Sequence, residues 1–246
     1  MSSASHLRTS RDEIQTEVDR FRRNAVVYTL RGEVPKSPHI PVSWLDLLAQ
    51  QESDGRPKTP AEWAEFGDVL SQVTTFLRNN VCAVGILMEQ PDTPSLVYAY
   101  RQDGEINLFQ CWPPSFVANG PAPRIAAIWS TLPPRVQGLY ERVHNGWVFL
   151  PSWAMGPARA DQIRFLSDDE WNMRPGEKAG LPFRLEAVIS IFANGAGDSL
   201  CIDTAARQPE KAGLVWWHEE PGKPDIRQDV WAVMDTWFGM FVEGAE

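Results

Sequence analysis

Leu185-Glu-Ala-Val-Ile-Ser-Ile-Phe-Ala193, Asn194-Gly-Ala-Gly-Asp198 and Ser199-Leu-Cys-Ile-Asp203 follow one another directly in the chain. The two outer runs are short and apolar, while the middle one concentrates residues that tolerate a left-handed backbone. That order predicts a strand, a tight turn and a second strand, because Asn and Gly reach positive φ at little cost. Leu214-Val-Trp-Trp-His218 reads as a third strand, and Pro221-Gly-Lys-Pro224 as the loop after it. Val230, Val233, Met234, Trp237, Phe238 and Phe241 then recur at helical spacing, which predicts an amphipathic closing helix. Antiparallel hairpins bracketed by helices give an α+β reading, an antiparallel or mixed sheet flanked by helices, rather than alternating parallel βαβ units.

Upstream, Leu132-Pro133-Pro134 opens a helix through Val136, Leu139, Tyr140 and Val143 that Asn145-Gly146 ends, and Trp147 to Leu150 resumes as a strand. Asp161 to Leu166 reads as a short helix or turn, and Ser167-Asp168-Asp169-Glu170 as the cap of another helix. Pro113-Pro114 through Asn119-Gly120-Pro121-Ala122-Pro123 concentrates proline and glycine and reads as a linker. It separates an N-terminal α+β region, residues 1–120, from a C-terminal α+β domain, residues 121–246, and the two can also form one continuous unit. In the N-terminal region Ser10-Arg-Asp-Glu13 is a capping box, followed by Ile14, Val18 and Phe21 on one helical face. Thr59-Pro60-Ala61-Glu62 reads as a second helix start, and its apolar face predicts one helix to about Asn80. Leu96 to Tyr100 and Ile106 to Cys111 flank Asp103-Gly104, a strong hairpin signal.

Composition narrows the function. The chain has 246 residues, 43% apolar and 22% charged, and its longest purely apolar stretch, Cys82 to Met88, is far too short to cross a membrane. The first thirty residues hold no apolar core before a cleavage site, so no signal peptide is expected. Three scattered cysteines fit no disulfide framework and suit a reducing, cytoplasmic setting. A net charge of -9 makes nucleic acid a poor partner and a basic protein a good one. That charge is lopsided: from Trp147 onward, 16 Asp and Glu face 9 Arg and Lys. Nine of the eleven tryptophans also fall from Trp112 onward.

A search for catalytic chemistry returns nothing above background. Gly195-Ala-Gly197 lacks the third glycine, the lysine and the following helix of a phosphate cradle. The four histidines are scattered, and no Cys or His pair has metal-ligand spacing. Cys201, Asp203 and His218 form a triad on paper, but only one particular strand pairing would bring the histidine to the other two. No catalytic residue, metal ligand or cofactor site is therefore expected.

The order of the second half resembles the SMI1/KNR4 (SUKH) superfamily. The resemblance rests on Leu132-Pro133-Pro134 leading to His144-Asn145-Gly146-Trp147, on Phe192-Ala-Asn-Gly-Ala-Gly-Asp198 with Asp203 after it, and on Gly213-Leu-Val-Trp-Trp-His218-Glu219 before a closing helix. It covers about residues 132–242, with a long Trp- and Pro-rich insertion between Trp153 and Pro182. It implies a non-enzymatic immunity protein that binds a cognate bacterial toxin or effector and occludes its active site. The toxin would meet an acidic, tryptophan-bearing surface: Asp168, Asp169, Glu170, Glu219 and Glu220 as charges, Trp153 and Trp171 as aromatic anchors. A regulatory scaffold for an endogenous protein, and a small hydrolase using Cys201 or a carboxylate pair, are the alternatives. Tryptophan richness leaves room for a homodimer.

Overall fold

The computed structural model describes residues 9–89, 93–114, 123–208 and 211–245. Helix α1 (Arg11–Phe21) starts at the expected box: the Ser10 hydroxyl accepts from the Glu13 N–H, and the Glu13 carboxylate accepts from the Ser10 N–H at 2.7 Å. Strand β1 (Val26–Tyr28) follows, then α2 (Val42–Asp54), α3 (Ser71–Asn79), β2 (Val81–Met88), β3 (Pro94–Gln102) and β4 (Glu105–Cys111). Asp103 and Gly104 take φ of 54° and 80°. Two successive positive φ values twist the β3–β4 turn in the same sense as the strands it joins. Helices α4 (Pro123–Ile128) and α5 (Pro134–Gly138) precede β5 (Trp147–Phe149), which pairs with β4 and completes a sheet of order β1-β2-β3-β4-β5. The first sheet thus draws strands from both sides of the proline-rich segment, of which residues 115–122 lie outside the described residues.

Strands β6 (Gly156–Pro157) and β7 (Arg164–Phe165), helix α6 (Pro175–Ala179), strands β8 (Val188–Ala193), β9 (Ser199–Asp203), β10 (Gly213–Trp216) and β11 (Asp225–Gln228), and helix α7 (Val230–Phe241) make up the rest. The second sheet is antiparallel, of order β11-β10-β9-β8-β6, and β7 also pairs with β8. The architecture is α+β, as the sequence predicts. The hairpin over 185–203 forms, with Leu185–Ala187 wound as a 3₁₀ turn ahead of β8.

Three local expectations change. The helix expected from Pro60 to Asn80 is broken into a 3₁₀ segment, Ala61–Phe66, and α3. Its break is stabilised from outside: the Asp235 carboxylate of α7 accepts from the Gln72 N–H at 3.0 Å, the Val73 N–H at 3.1 Å and the Ser71 hydroxyl at 3.1 Å. Those amides are the unpaired donors of a helix start, and a buried carboxylate supplies what a local cap would. Ser167–Glu170 does not cap a helix: a 3₁₀ turn, Leu166–Asp168, leads into irregular chain, and α6 begins only at Pro175. The helix opened by Pro133-Pro134 finishes in a wider π-type turn over Leu139–Val143, with the His144 N–H donating to the Leu139 carbonyl at 3.0 Å.

The largest buried cluster joins both sheets. Val84, Tyr98 and Phe109 of the first pack with Ile191, Leu200 and Ile202 of the second and with Met234 and Phe238 of α7. Phe238 lies 5.3 Å from Phe76 and 5.2 Å from Phe109, ring centre to ring centre. Alternate residues Val97, Ala99 and Leu108 turn the other way and are covered by Ile14 and Val18 of α1. A smaller cluster of Leu166, Leu185, Cys201, Leu214 and Trp216 covers the other face of the second sheet. Among the described residues no helix is long and apolar enough to cross a membrane.

Candidate functional site

The site is built outward from His144-Asn145-Gly146. His144 is fully buried with its Nε2 2.7 Å from the Tyr98 hydroxyl, and burial pushes its imidazole down to about 3 against a weaker backbone hydrogen bond with Trp112. The ring is therefore neutral at pH 7. The Asn145 N–H donates to the Trp112 carbonyl at 3.1 Å, and the Trp112 N–H to the Gly146 carbonyl at 3.3 Å. The Asn145 side-chain oxygen accepts from the Ala160 N–H at 3.0 Å. Gly146, at φ +81°, lies so close to the chain just after β6 that a Cβ would sit 2.7 Å from the Arg159 nitrogen. Only glycine permits that approach. The asparagine–glycine pair thus ties Trp112 to the segment carrying Arg159, whose guanidinium lies 5.3 Å from the Trp112 ring centre.

Trp153 is laid on this base. After β5 the chain folds back, with the Trp153 N–H donating to the Phe149 carbonyl at 2.9 Å. Trp153 and Met155 take φ of 56° and 57°, left-handed values that cost a bulky residue on the order of 1–2 kcal/mol each. In this conformation the Trp153 ring stacks on Trp112 at 6.0 Å and 19°, and the Arg22 guanidinium lies 3.8 Å from its centre. Arg22 also pairs with Glu89 at 2.9 Å and donates to the Gln110 side chain at 3.1 Å; Arg159 donates through Nε to Asp161 at 2.8 Å. Both cations are thus neutralised and held, and Trp153 keeps 46% of its surface exposed.

The Asn194–Asp198 turn adjoins the same loop. The Met155 N–H donates to the Ala193 carbonyl at 2.7 Å, and a Cβ on Gly195 would lie 3.7 Å from that of Ala154. The Asn194 side-chain oxygen accepts from the Ala196 N–H at 2.9 Å and the Asp198 N–H at 3.1 Å. The Asp198 carboxylate in turn meets the His218 Nδ1 at 2.9 Å and accepts the His218 N–H at 3.1 Å. Burial works to raise the Asp198 pKa, but hydrogen bonds from His218 and Asn194 outweigh it and leave the group below the usual carboxylate range. Gly197, at φ +104°, lies against the His218 ring, where a Cβ would meet Nδ1 at 2.7 Å. Glu219 follows, its carboxylate 3.9 Å from the His218 Nε2 and its side chain 85% exposed. The turn therefore ties the loop that carries Trp153 to the segment of His218 and Glu219.

The other expected contact residues are placed differently. Asp168 pairs with Arg124 and accepts the Phe165 N–H at 3.0 Å, so it braces the 3₁₀ turn. Asp169 lies 3.9 Å from Arg164, and Glu170 is exposed. Trp171 is half-buried, its ring 5.1 Å from Trp216 and its Nε1–H donated to the Leu166 carbonyl at 2.7 Å, a packing role in place of an open anchor. Glu220 is exposed and paired with Lys223 at 2.7 Å. Cys201 is buried among apolar side chains that push its thiol pKa up, while the His218 ring is engaged by Asp198, so the paper triad is not assembled. Sequence reading missed Arg22, Trp112 and Arg159; no local pattern marks them, since the stack draws on widely separated segments.

Among the described residues no group of three or more His, Cys, Asp or Glu side chains is placed to hold a metal ion. Comparison with protein-family models, with curated proteins and with solved structures finds no match to this chain.

Proposed function

We propose that this chain is a cytoplasmic immunity protein, not an enzyme, that binds a cognate toxin or effector protein and occludes its active site. The observation that carries the reading is Trp153: a half-exposed indole fixed at a strained backbone angle and backed by a ring and a guanidinium. Nothing in the core requires an indole to face outward, and an anchor ordered before binding loses little freedom on binding. Tryptophan is the side chain most often found to dominate a protein interface. The acidic C-terminal half adds the charge that draws a basic partner, with the exposed Glu219 on the segment that the Asn194–Asp198 turn ties to the anchor's loop.

The test starts with capture of a partner from the native host, followed by expression of that partner alone. The expected outcome is growth arrest relieved by co-expression of this chain. Trp153→Ala should weaken the complex about 30-fold or more, while Trp171→Phe, which keeps the packing on Trp216, leaves affinity unchanged. A stoichiometric partner that is harmless when expressed alone would replace toxin neutralisation with a scaffold role. Equal affinity for the wild type and Trp153→Ala would remove Trp153 from the interface.

A further inference from the structure

A groove of about 480 Å³ lies on the second sheet at its β10–β11 edge, well away in sequence from the Trp153 stack. Arg207, Lys211 and Arg227 line it, together with the single carboxylate of Asp203 and the apolar surfaces of Phe183 and Ile226. None of the three cations has an ion-pair partner among the described residues. This is unexpected where acids outnumber bases 16 to 9. Three like charges with one carboxylate among them gather on one concavity at a cost, so their placement needs a reason.

The backbone supplies a second, independent observation. Gly213 pairs with Gln228 and Leu214 with Ile226, leaving Arg227 as an extra residue in β11. Arg227 has φ of 60°, a left-handed value that arginine rarely adopts. In a regular strand, neighbours point to opposite faces, and Ile226 and Arg227 could not both line one groove. With the bulge, Ile226 and Arg227 both border the groove. A strained bulge that places a third cation beside an apolar wall is the kind of outlier that binding explains and packing does not.

We infer that this groove binds a small organic phosphate, a dianionic phosphate monoester carrying a flat apolar body. Among the described lining residues three cations face the one carboxylate of Asp203, an excess of positive charge that suits a phosphate monoester, which carries about −1.5 to −2 near pH 7. Two guanidinium groups suit its oxygens, because planar forks donate paired hydrogen bonds. The groove is far larger than a phosphate needs and falls in the size range of small-molecule sites. Phe183 and Ile226 provide the surface for the body.

The test is calorimetric titration of the full-length protein with phenyl phosphate and, separately, with inorganic phosphate. Phenyl phosphate should bind at one site per chain, about tenfold or more tighter than inorganic phosphate. Lys211→Gln and Arg227→Gly should each weaken it about tenfold. Arg227→Gly also keeps the fold testable: glycine relieves the left-handed strain, so its thermal midpoint should rise while its affinity falls. The inference is overturned by equal affinity for the two probes, by unchanged phenyl phosphate binding in Arg227→Gly, or by no saturable binding up to ~10 mM.

Discussion

The two sheets are built on the same antiparallel logic but differ in how they are enclosed. In the first, α1 covers one face and the shared aromatic core covers the other, so β2 and β3 are buried along most of their length. In the second, the sheet runs out to β11, whose residues are largely exposed and whose pairing with β10 is interrupted by a bulge. A sheet closed on both faces has little room for unpaired charges. An open edge can carry them, because water solvates what the protein leaves unpaired. The left-handed Arg227 and its unpaired charge belong to that edge.

The sharpest way to break this contrast is truncation at matched apolar positions. Phe109→Ala should cost about 4 kcal/mol, since it removes a ring in contact with Phe76, Tyr100, Phe149, Phe238 and Phe241. Ile226→Ala, on the exposed edge, should stay within about 0.5 kcal/mol. Urea unfolding of the two variants measures both, and comparable losses would show that the edge is as tightly packed as the centre.

Next in size is the tie between the halves. Asp235→Ala leaves the first turn of α3 without its cap and should cost about 3 kcal/mol. Far-ultraviolet dichroism and tryptophan fluorescence should still give coincident transitions, because the larger core continues to join the sheets. Two separated transitions would mean that the sheets fold independently and that Asp235 is their main link.

The smallest of the three effects is a pH dependence seated beside the first sheet. His144 has an ordinary value of 6.5 and is pushed to about 3 when folded. Between those values the unfolded chain binds a proton that the folded chain excludes, so stability falls as pH drops below 6.5. The loss should be of order 2 kcal/mol from pH 7 to pH 5, and His144→Gln should remove it. Equal denaturation midpoints at the two pH values in the wild type would place that ring in contact with solvent.

What could be read from the sequence alone is local. The Ser10–Glu13 box, the Asp103-Gly104 turn, the Asn194–Asp198 turn and the apolar face of α7 each depend on residues a few positions apart, and each forms as expected. Trp153 and Glu219 were legible as candidates by residue type, and their junction through the Asn194–Asp198 turn was not. The break before α3 was hidden because its cap comes from Asp235, on the last helix. The stack of Arg22, Trp153, Trp112 and Arg159 was hidden for the same reason, and so was the groove that gathers Arg207, Lys211 and Arg227. Short-range hydrogen bonds and periodicity are written in neighbouring residues. Packing and charge convergence depend on which distant segments meet, and the tertiary structure alone decides that.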